Sequence, residues 1–252
     1  FSNNVTSFNT DGFTLGGGDT STNASGASYY AQQFKANGGT TSSNSNGSIT
    51  STVQANTDAG FSIVTYTGTG SAATVGHGLN NAPSVIIFKN RSGSNVWAMY
   101  CKSEGENKKM IMGAGSHNQP DDDGAYMNGT LPTSSVFSVG ASANTNTGSS
   151  NYVAYCFEEK QGFMKQGTYV GNANSDGPFI YTGFAPRSVW MCKATGLSTN
   201  WLDWNVAVDI TKGNPINKAL NFSFANAGSS FNAYDFLSNG FKTRVSGTAV
   251  NN

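Results

Sequence analysis

The chain has 252 residues, with 14 basic and 14 acidic side chains, so only 11% of it is charged and its formal net charge is zero. That is less than half the roughly 25% usual for globular domains. A chain so poor in lysine and arginine lacks the footprint of a nucleic-acid binder, and no run approaches the roughly 18 consecutive apolar residues of a membrane-spanning helix, so neither nucleic acid nor membrane insertion is expected.

In chain order the pattern is β almost throughout. Phe13-Thr14-Leu15 is a short aromatic-led strand, and Tyr29-x-Ala31-x-x-Phe34 follows it. Asn37 to Ser48 contains only Gly, Thr, Ser and Asn, none of which anchors a core, and reads as a linker; Ile49 to Val53 then supplies a short edge strand. Phe61 to Tyr66 and Ser84 to Phe88 are rich in the β-branched and aromatic residues that suit a pleated, half-buried surface. Between them lie Gly68, Gly70, Gly76, Gly78 and Asn80-Asn81, which are turn residues. Val85 to Lys89 and Val96 to Tyr100 flank the polar turn Asn90 to Asn95 and predict a hairpin. A second hairpin is predicted from Val189 to Lys193 with Trp201 to Trp204. Asn205 to Ile210 and Ile216 to Leu220 allow at most a helical turn.

The elements repeat. Ala82-Pro83-Ser84-Val85 through Lys89 returns as Ala185-Pro186-Arg187-Ser188-Val189 through Lys193, with Lys193 standing 104 positions after Lys89 and Trp201 104 after Trp97. Tyr29-x-Ala31-x-x-Phe34 returns as Tyr152-x-Ala154-x-x-Phe157, Tyr66-Thr67-Gly68 as Tyr181-Thr182-Gly183, and Phe137-Ser138-Val139 has its match 104 positions on at Phe241. A period near 100 residues closes its own core, so the expectation is a string of small domains rather than a solenoid. The fold class expected is all-β, tandem antiparallel β-sandwich-like modules. Residues 1–36 are the C-terminal part of a preceding module, 37–58 a linker with a short strand, 59–160 a complete module, and 161–252 a module lacking its last strand. A chain that starts without methionine and stops inside a motif is expected to be part of something longer. The tight junction Phe157 to Phe163 predicts a fixed orientation between the last two modules.

Candidate chemistry is sparse. Cys101, Cys156 and Cys192 are an odd set in a chain too long to need staples, and read as buried thiols. His77 sits in a Gly-flanked turn and His117 in a loop beside Ser116 and Asp121; both read as exposed loop histidines rather than parts of a hydrolase, and no enzyme activity or cofactor is expected. Asp121, Asp122 and Asp123 are the densest charge, and as loop carboxylates they are calcium candidates, although the run lacks the spacing and closing glutamate of an EF-hand. The aromatic residues carry the clearest functional signal, because exposed rings stack on sugars while Asn, Asp, Lys89 or Lys193 bond hydroxyls. Trp97 and Trp201 occupy equivalent repeat positions, which points to a role in the core. Trp204 and Tyr100 are therefore the ligand-binding candidates.

Asp58-Ala59-Gly60 leading into Phe61 to Gly68, then Val75-Gly76-His77-Gly78-Leu79 and Ala82 to Arg91, resembles tandem modules of tailed-phage virion proteins, many of them marine. Tyr152 to Phe157, Asp176-Gly177-Pro178-Phe179-Ile180-Tyr181 and Asp235 to Phe241 resemble the same family, so the likeness spans the chain. It implies a structural and adhesive segment of a tail fibre or similar appendage on the virion exterior. Its partners are then other copies in a homotrimer, other virion proteins and a host-surface glycan. It also implies that the sequence after Asn252 continues as a strand of Tyr-x-Ala-x-x-Phe character. The alternatives are a carbohydrate-binding module of a secreted adhesin or enzyme, told apart by glycan binding through Trp204 or Tyr100, and a capsid-decoration or head-fibre protein.

Overall fold

The computed structural model describes residues 4–17, 20–27, 29, 31, 33–105, 108–112, 118–120, 124–191, 205–208, 214–221, 230–246 and 251. The chain divides into two compact units, 1–35 and 36–252. In the first, β1 (Val5–Phe8) and β2 (Phe13–Leu15) form an antiparallel hairpin whose turn is closed by Asn9 N–H donating to the Gly12 carbonyl at 2.8 Å, and one helical turn follows, α1 (Thr20–Asn23). No apolar side chain is buried among the described residues of this unit.

The second unit begins with β3 (Ser42–Asn44), β4 (Ser51–Asn56), β5 (Phe61–Thr67), β6 (Ala73–Gly76), β7 (Val85–Asn90), β8 (Trp97–Cys101), β9 (Lys108–Met112), β10 (Asn118–Pro120), β11 (Val136–Val139) and β12 (Asn151–Phe157). Eight of these make one antiparallel sheet in the order β10-β9-β8-β7-β12-β5-β4-β3, and β6 with β11 makes a separate pair. The predicted hairpin is present: β7 and β8 pair with Val85 opposite Cys101 and Ile86 opposite Tyr100. β12, which comes after β11 in the chain, lies between β5 and β7, with Tyr152 opposite both Tyr66 and Asn90.

Because side chains alternate along a strand, each strand serves two faces. Ile86 and Phe88 of β7, Tyr100 of β8, Val64 and Tyr66 of β5, and Tyr152, Ala154 and Cys156 of β12 point to one face. There they meet Val75 of β6 and Phe137 and Val139 of β11 in the main core. The Phe88 ring meets Tyr126 and Phe137 edge-on at 5.8 and 5.4 Å, and Tyr66 stacks on Tyr152 at 5.3 Å. Each side chain of this size, fully buried, contributes about 1.5–3 kcal/mol. Sheet packed on a strand pair gives the expected antiparallel, sandwich-like all-β architecture.

Buried polar groups lock the core to its loops. The Tyr152 hydroxyl donates to the Ala143 carbonyl at 2.9 Å and accepts from Thr147 N–H at 2.8 Å and Asn90 Nδ2 at 3.2 Å. Asn146, fully buried, accepts from Thr69 N–H at 2.7 Å and donates to the carbonyls of Ser71 and Gly140 at 2.6 and 2.8 Å.

The segment read as a linker is built into the sheet. Its Ser42-Ser43-Asn44 is β3, paired with β4, which makes β4 an interior strand rather than an edge. Composition misleads here because the hold comes from backbone groups and from close approach. A Cβ at Gly47 would lie 2.4 Å from the Thr74 carbonyl oxygen, and one at Gly76 2.0 Å from Asn44 Oδ1.

A second sheet follows: β13 (Phe179–Tyr181), β14 (Ser188–Met191), β15 (Asn205–Val208), β16 (Ile216–Asn221), β17 (Ser230–Leu237) and β18 (Gly240–Thr243), in the order β13-β18-β17-β16-β15-β14. The two segments expected to give at most helical turns are thus strands β15 and β16. β14 pairs with Asn205 to Val208; Trp201 to Trp204, expected as its hairpin partner, lie outside the described residues. Among the described side chains of this sheet, Met191, Ile216, Tyr234 and Phe241 are buried together, with Tyr169, Ile180 and Phe236 packed against them.

The change of sheet falls near residue 160, but residues 36–252 form one unit. On the reverse face of the first sheet, Val85, Ile87, Met99, Cys101 and Met110 form a cluster against which Met164 and Trp190 pack. Lys160 and Met164 exchange backbone hydrogen bonds at 3.0 and 3.1 Å, Ser84 Oγ donates to Met164 Sδ at 3.9 Å, and Gln166 bonds Ser103.

Candidate functional site

The alternation that builds the core decides which aromatic rings meet solvent. Tyr100, a sequence candidate for ligand stacking, is 1% exposed inside the main core, so its ring has no free face. Trp97, expected in the core, is 41% exposed. The two are three positions apart on β8 and so point to opposite faces, and it is the Tyr100 side that carries the closed core. Repeat equivalence marks a position but says nothing of the face it occupies. Trp204, the other candidate, lies outside the described residues.

Trp97 has neighbours that make a surface. Tyr155 of β12, on the same face as Val153 and Phe157, stacks against it with ring centroids 6.3 Å apart and planes 22° apart. From β7, Lys89 holds its ammonium 5.7 Å from the Trp97 ring centroid and bonds the Asn95 carbonyl. A cation so placed is drawn to the ring's negative face. Burial pushes the Tyr155 hydroxyl above its ordinary range, partly offset by the positive charge of Arg91. Two near-parallel rings with the Lys89 ammonium beside them make an aromatic shelf with a cationic donor, able to receive the apolar face of a sugar and hydrogen-bond its hydroxyl or carboxylate groups. The reading of the sequence missed Tyr155; the signal was period-two alternation through Tyr152, Ala154 and Cys156, which sends Tyr155 to the other face.

The remaining candidates do not assemble chemistry. His77 is not an exposed loop residue but fully buried. Its Nδ1 accepts from Leu79 N–H at 3.1 Å, which leaves Nε2–H to donate to the Thr133 carbonyl at 3.1 Å. Burial lowers its pKa against the opposing pull of the Thr133 carbonyl and Glu158. His117, Asp121, Asp122 and Asp123 lie outside the described residues, and among the described residues no three His, Cys, Asp or Glu side chains gather as a metal site. Cys101 and Cys156 are buried, and burial pushes the Cys156 thiol up to about 12, so it stays protonated and inert. Cys192 lies outside the described residues.

A shallow depression of about 240 Å³ lies at the junction between the sheets, lined by Glu159, Lys160, Gln161, Lys165 and Tyr181 among others. Its carboxylate is committed: Glu159 accepts from Lys165 at 3.1 Å and from Gln166 N–H at 3.2 Å. Burial raises this carboxyl, but those hydrogen bonds and the lysine charges outweigh burial and hold it below the usual range. The neighbouring Glu158 is likewise tied to Lys160 at 3.1 Å and to Asn81 Nδ2 at 2.8 Å. Neither acid is poised for proton transfer.

A family model described as a domain of unknown function, DUF7483, matches residues 1–252. The chain belongs to the DUF7483 family. No curated protein and no solved structure matches it. In this DUF7483 chain, then, the aromatic shelf and the packed junction are the features from which a function has to be argued.

Proposed function

We propose that this chain is a structural and adhesive segment of a tailed-phage virion appendage, a tail fibre or similar, that spaces and presents a contact to the host surface. The observation that carries the reading is the packed junction: Met164 and Trp190 seat on the Val85, Ile87 and Met99 cluster, so the two sheets are joined by a buried contact rather than a slack tether. A spacer exposed outside a particle needs such a joint, and low charge with short Gly and Asn turns suits it. In this reading copies of the chain associate as a homotrimer alongside other virion proteins. Antibodies raised against the purified chain, applied to intact particles from the producing culture, are expected to label appendages in electron micrographs. Label on the shell supports a decoration protein instead, and purified virions free of the chain overturn the reading.

The shelf at Trp97 and Tyr155 favours a second reading, a carbohydrate-binding module of a secreted adhesin or enzyme. The two separate cleanly: a module of that kind binds glycans through Trp97 and is found in the culture medium free of particles.

A further inference from the structure

The face of the first sheet turned away from the main core is covered at one end, where Met164 and Trp190 pack on the Val85, Ile87 and Met99 cluster. Toward its other end a row of side chains crosses four strands. Lys89 of β7 stands opposite Val153 of β12, Val153 opposite Thr65 of β5, and Thr65 opposite Thr52 of β4, so the four share one face. The row covers three strand spacings, about 14 Å. Trp97 falls at its head, one step past the pairing of Ala98 with Phe88, and Tyr155, two positions from Val153 on the same face, stacks against it.

This strip has the makings of a saccharide contact. Trp97, at 41% exposed, keeps ring area for a pyranose face. The half-buried Tyr155 hydroxyl makes no hydrogen bond among the described residues, and the Thr65 and Thr52 hydroxyls continue the row.

The charges select the kind of saccharide. The eight strands of this sheet contain Lys89, Lys108 and Lys109 and no aspartate or glutamate. Lys89 bonds only a neutral acceptor, the Asn95 carbonyl, and its ammonium has further N–H groups to give. Neither Lys89 nor Arg91, just beyond β7, pairs with a carboxylate among the described residues. An unneutralised ammonium at the rim of an open ring favours an anion, because a charge-assisted hydrogen bond is about twice as strong as a neutral one. We infer that the Trp97 shelf takes an acidic saccharide, a uronate-bearing chain whose pyranose face lies on Trp97 and whose carboxylate bonds the Lys89 ammonium. A uronate carries its carboxylate directly on the pyranose ring. A ring stacked on Trp97 therefore holds its charge at the rim, where Lys89 stands 5.7 Å from the indole centroid. The inference rests on the reading of this shelf as a glycan contact, and adds the charge of the ligand.

The test is binding of the 252-residue chain to immobilised polygalacturonate, alginate and hyaluronan. Each is set beside its carboxyl-reduced form, in which the same ring bears a neutral hydroxymethyl group, and dextran sulfate completes the panel. The expected result is that wild type binds at least one uronate polymer at least tenfold more tightly than its reduced form. Lys89→Gln removes that preference, so the acidic and reduced forms bind alike. Lys89→Arg keeps it, and Trp97→Ala loses both forms. Equal binding of the two forms by wild type overturns the inference and leaves the glycan contact standing, as does a preference that survives in K89Q. Retention on dextran sulfate alone overturns the uronate assignment. A chain that binds nothing in the panel removes the inference and the glycan contact together.

Discussion

The two sheets of residues 36–252 use matching blocks of sequence and reach different states of closure. In the first, β12 pairs along its length with both β5 and β7, and seventeen side chains are buried in the main core. In the second, β13 and β14, which carry the repeats of Tyr66-Thr67-Gly68 and of Ser84 to Lys89, stand at opposite ends of the sheet, and Phe179 and Tyr181 of β13 are 46% and 66% exposed. The difference teaches that in this architecture a single long-range strand, rather than the local hairpins, decides whether the aromatic residues end inside or outside.

The largest effect expected from that contrast is on stability. Phe88→Ala, which removes a fully buried ring held edge-on by Tyr126 and Phe137, costs about 3–5 kcal/mol. Phe241→Ala, whose ring meets Tyr169 edge-on in a sheet that leaves Phe179 and Tyr181 open to solvent, is expected to cost less. Urea unfolding followed by tryptophan fluorescence measures both, and equal losses would break the comparison.

Tyr152→Phe comes next. It keeps the ring but strips the hydroxyl from Ala143, Thr147 and Asn90, and costs about 1–3 kcal/mol in the same assay. If β12 is the keystone strand, hydrogen exchange in this variant speeds up in β5 and β7 together. Acceleration confined to one of them refutes that role.

A smaller effect is set by pH. His77 has a lowered pKa in the folded chain, so its contribution is intact above its unfolded value near 6.5 and is lost as pH falls below it. Glu158 is also lowered: burial raises it, but hydrogen bonds from Asn81 and Lys160 prevail, so its contribution is present above the ordinary carboxylate range and is lost in stronger acid. Midpoints of thermal unfolding should therefore drop in two steps as pH falls. His77→Asn removes the first step and leaves the second; a curve that keeps both steps in that variant contradicts the assignment.

The smallest structural effect is expected at the shelf. Trp97→Ala costs about 0.5–1.5 kcal/mol, the worth of its stack on Tyr155, yet abolishes whatever glycan binding an array detects for wild type. Retained binding in W97A removes the shelf from the adhesive role.

Much of the fold was legible in the sequence. The β7–β8 hairpin announced itself through β-branched strands around a polar turn, and β5 and β12 through alternation and aromatic content. What failed did so for physical reasons. Asn37 to Ser48 looked like a linker because a polar edge strand needs no core anchor, only ladder bonds and the bare glycines that admit them. β15 and β16 are short segments whose apolar pattern fits a helical turn as well as a strand, and pairing with each other and with the neighbouring strands β14 and β17 settled the matter. Trp97 and Tyr100 were assigned in reverse because only the location of the second layer, β6 with β11, tells which face of β8 is inside. His77 looked exposed because its flanking glycines mark a turn, and that turn is one the core folds over.

β3 has a further consequence for how the molecule behaves in a crowd. It is three residues long, lined with hydroxyl and amide groups, and sits at the margin of a large apolar sheet. Sheets with a long bare margin stick to one another, and β3 acts as hemming along that margin, too short and too hydrophilic to seed growth. The Gly76 to Asn44 fit fastens the hem. Any side chain at position 76 would therefore do its harm in the test tube as clumping, before it registered as a lower melting point.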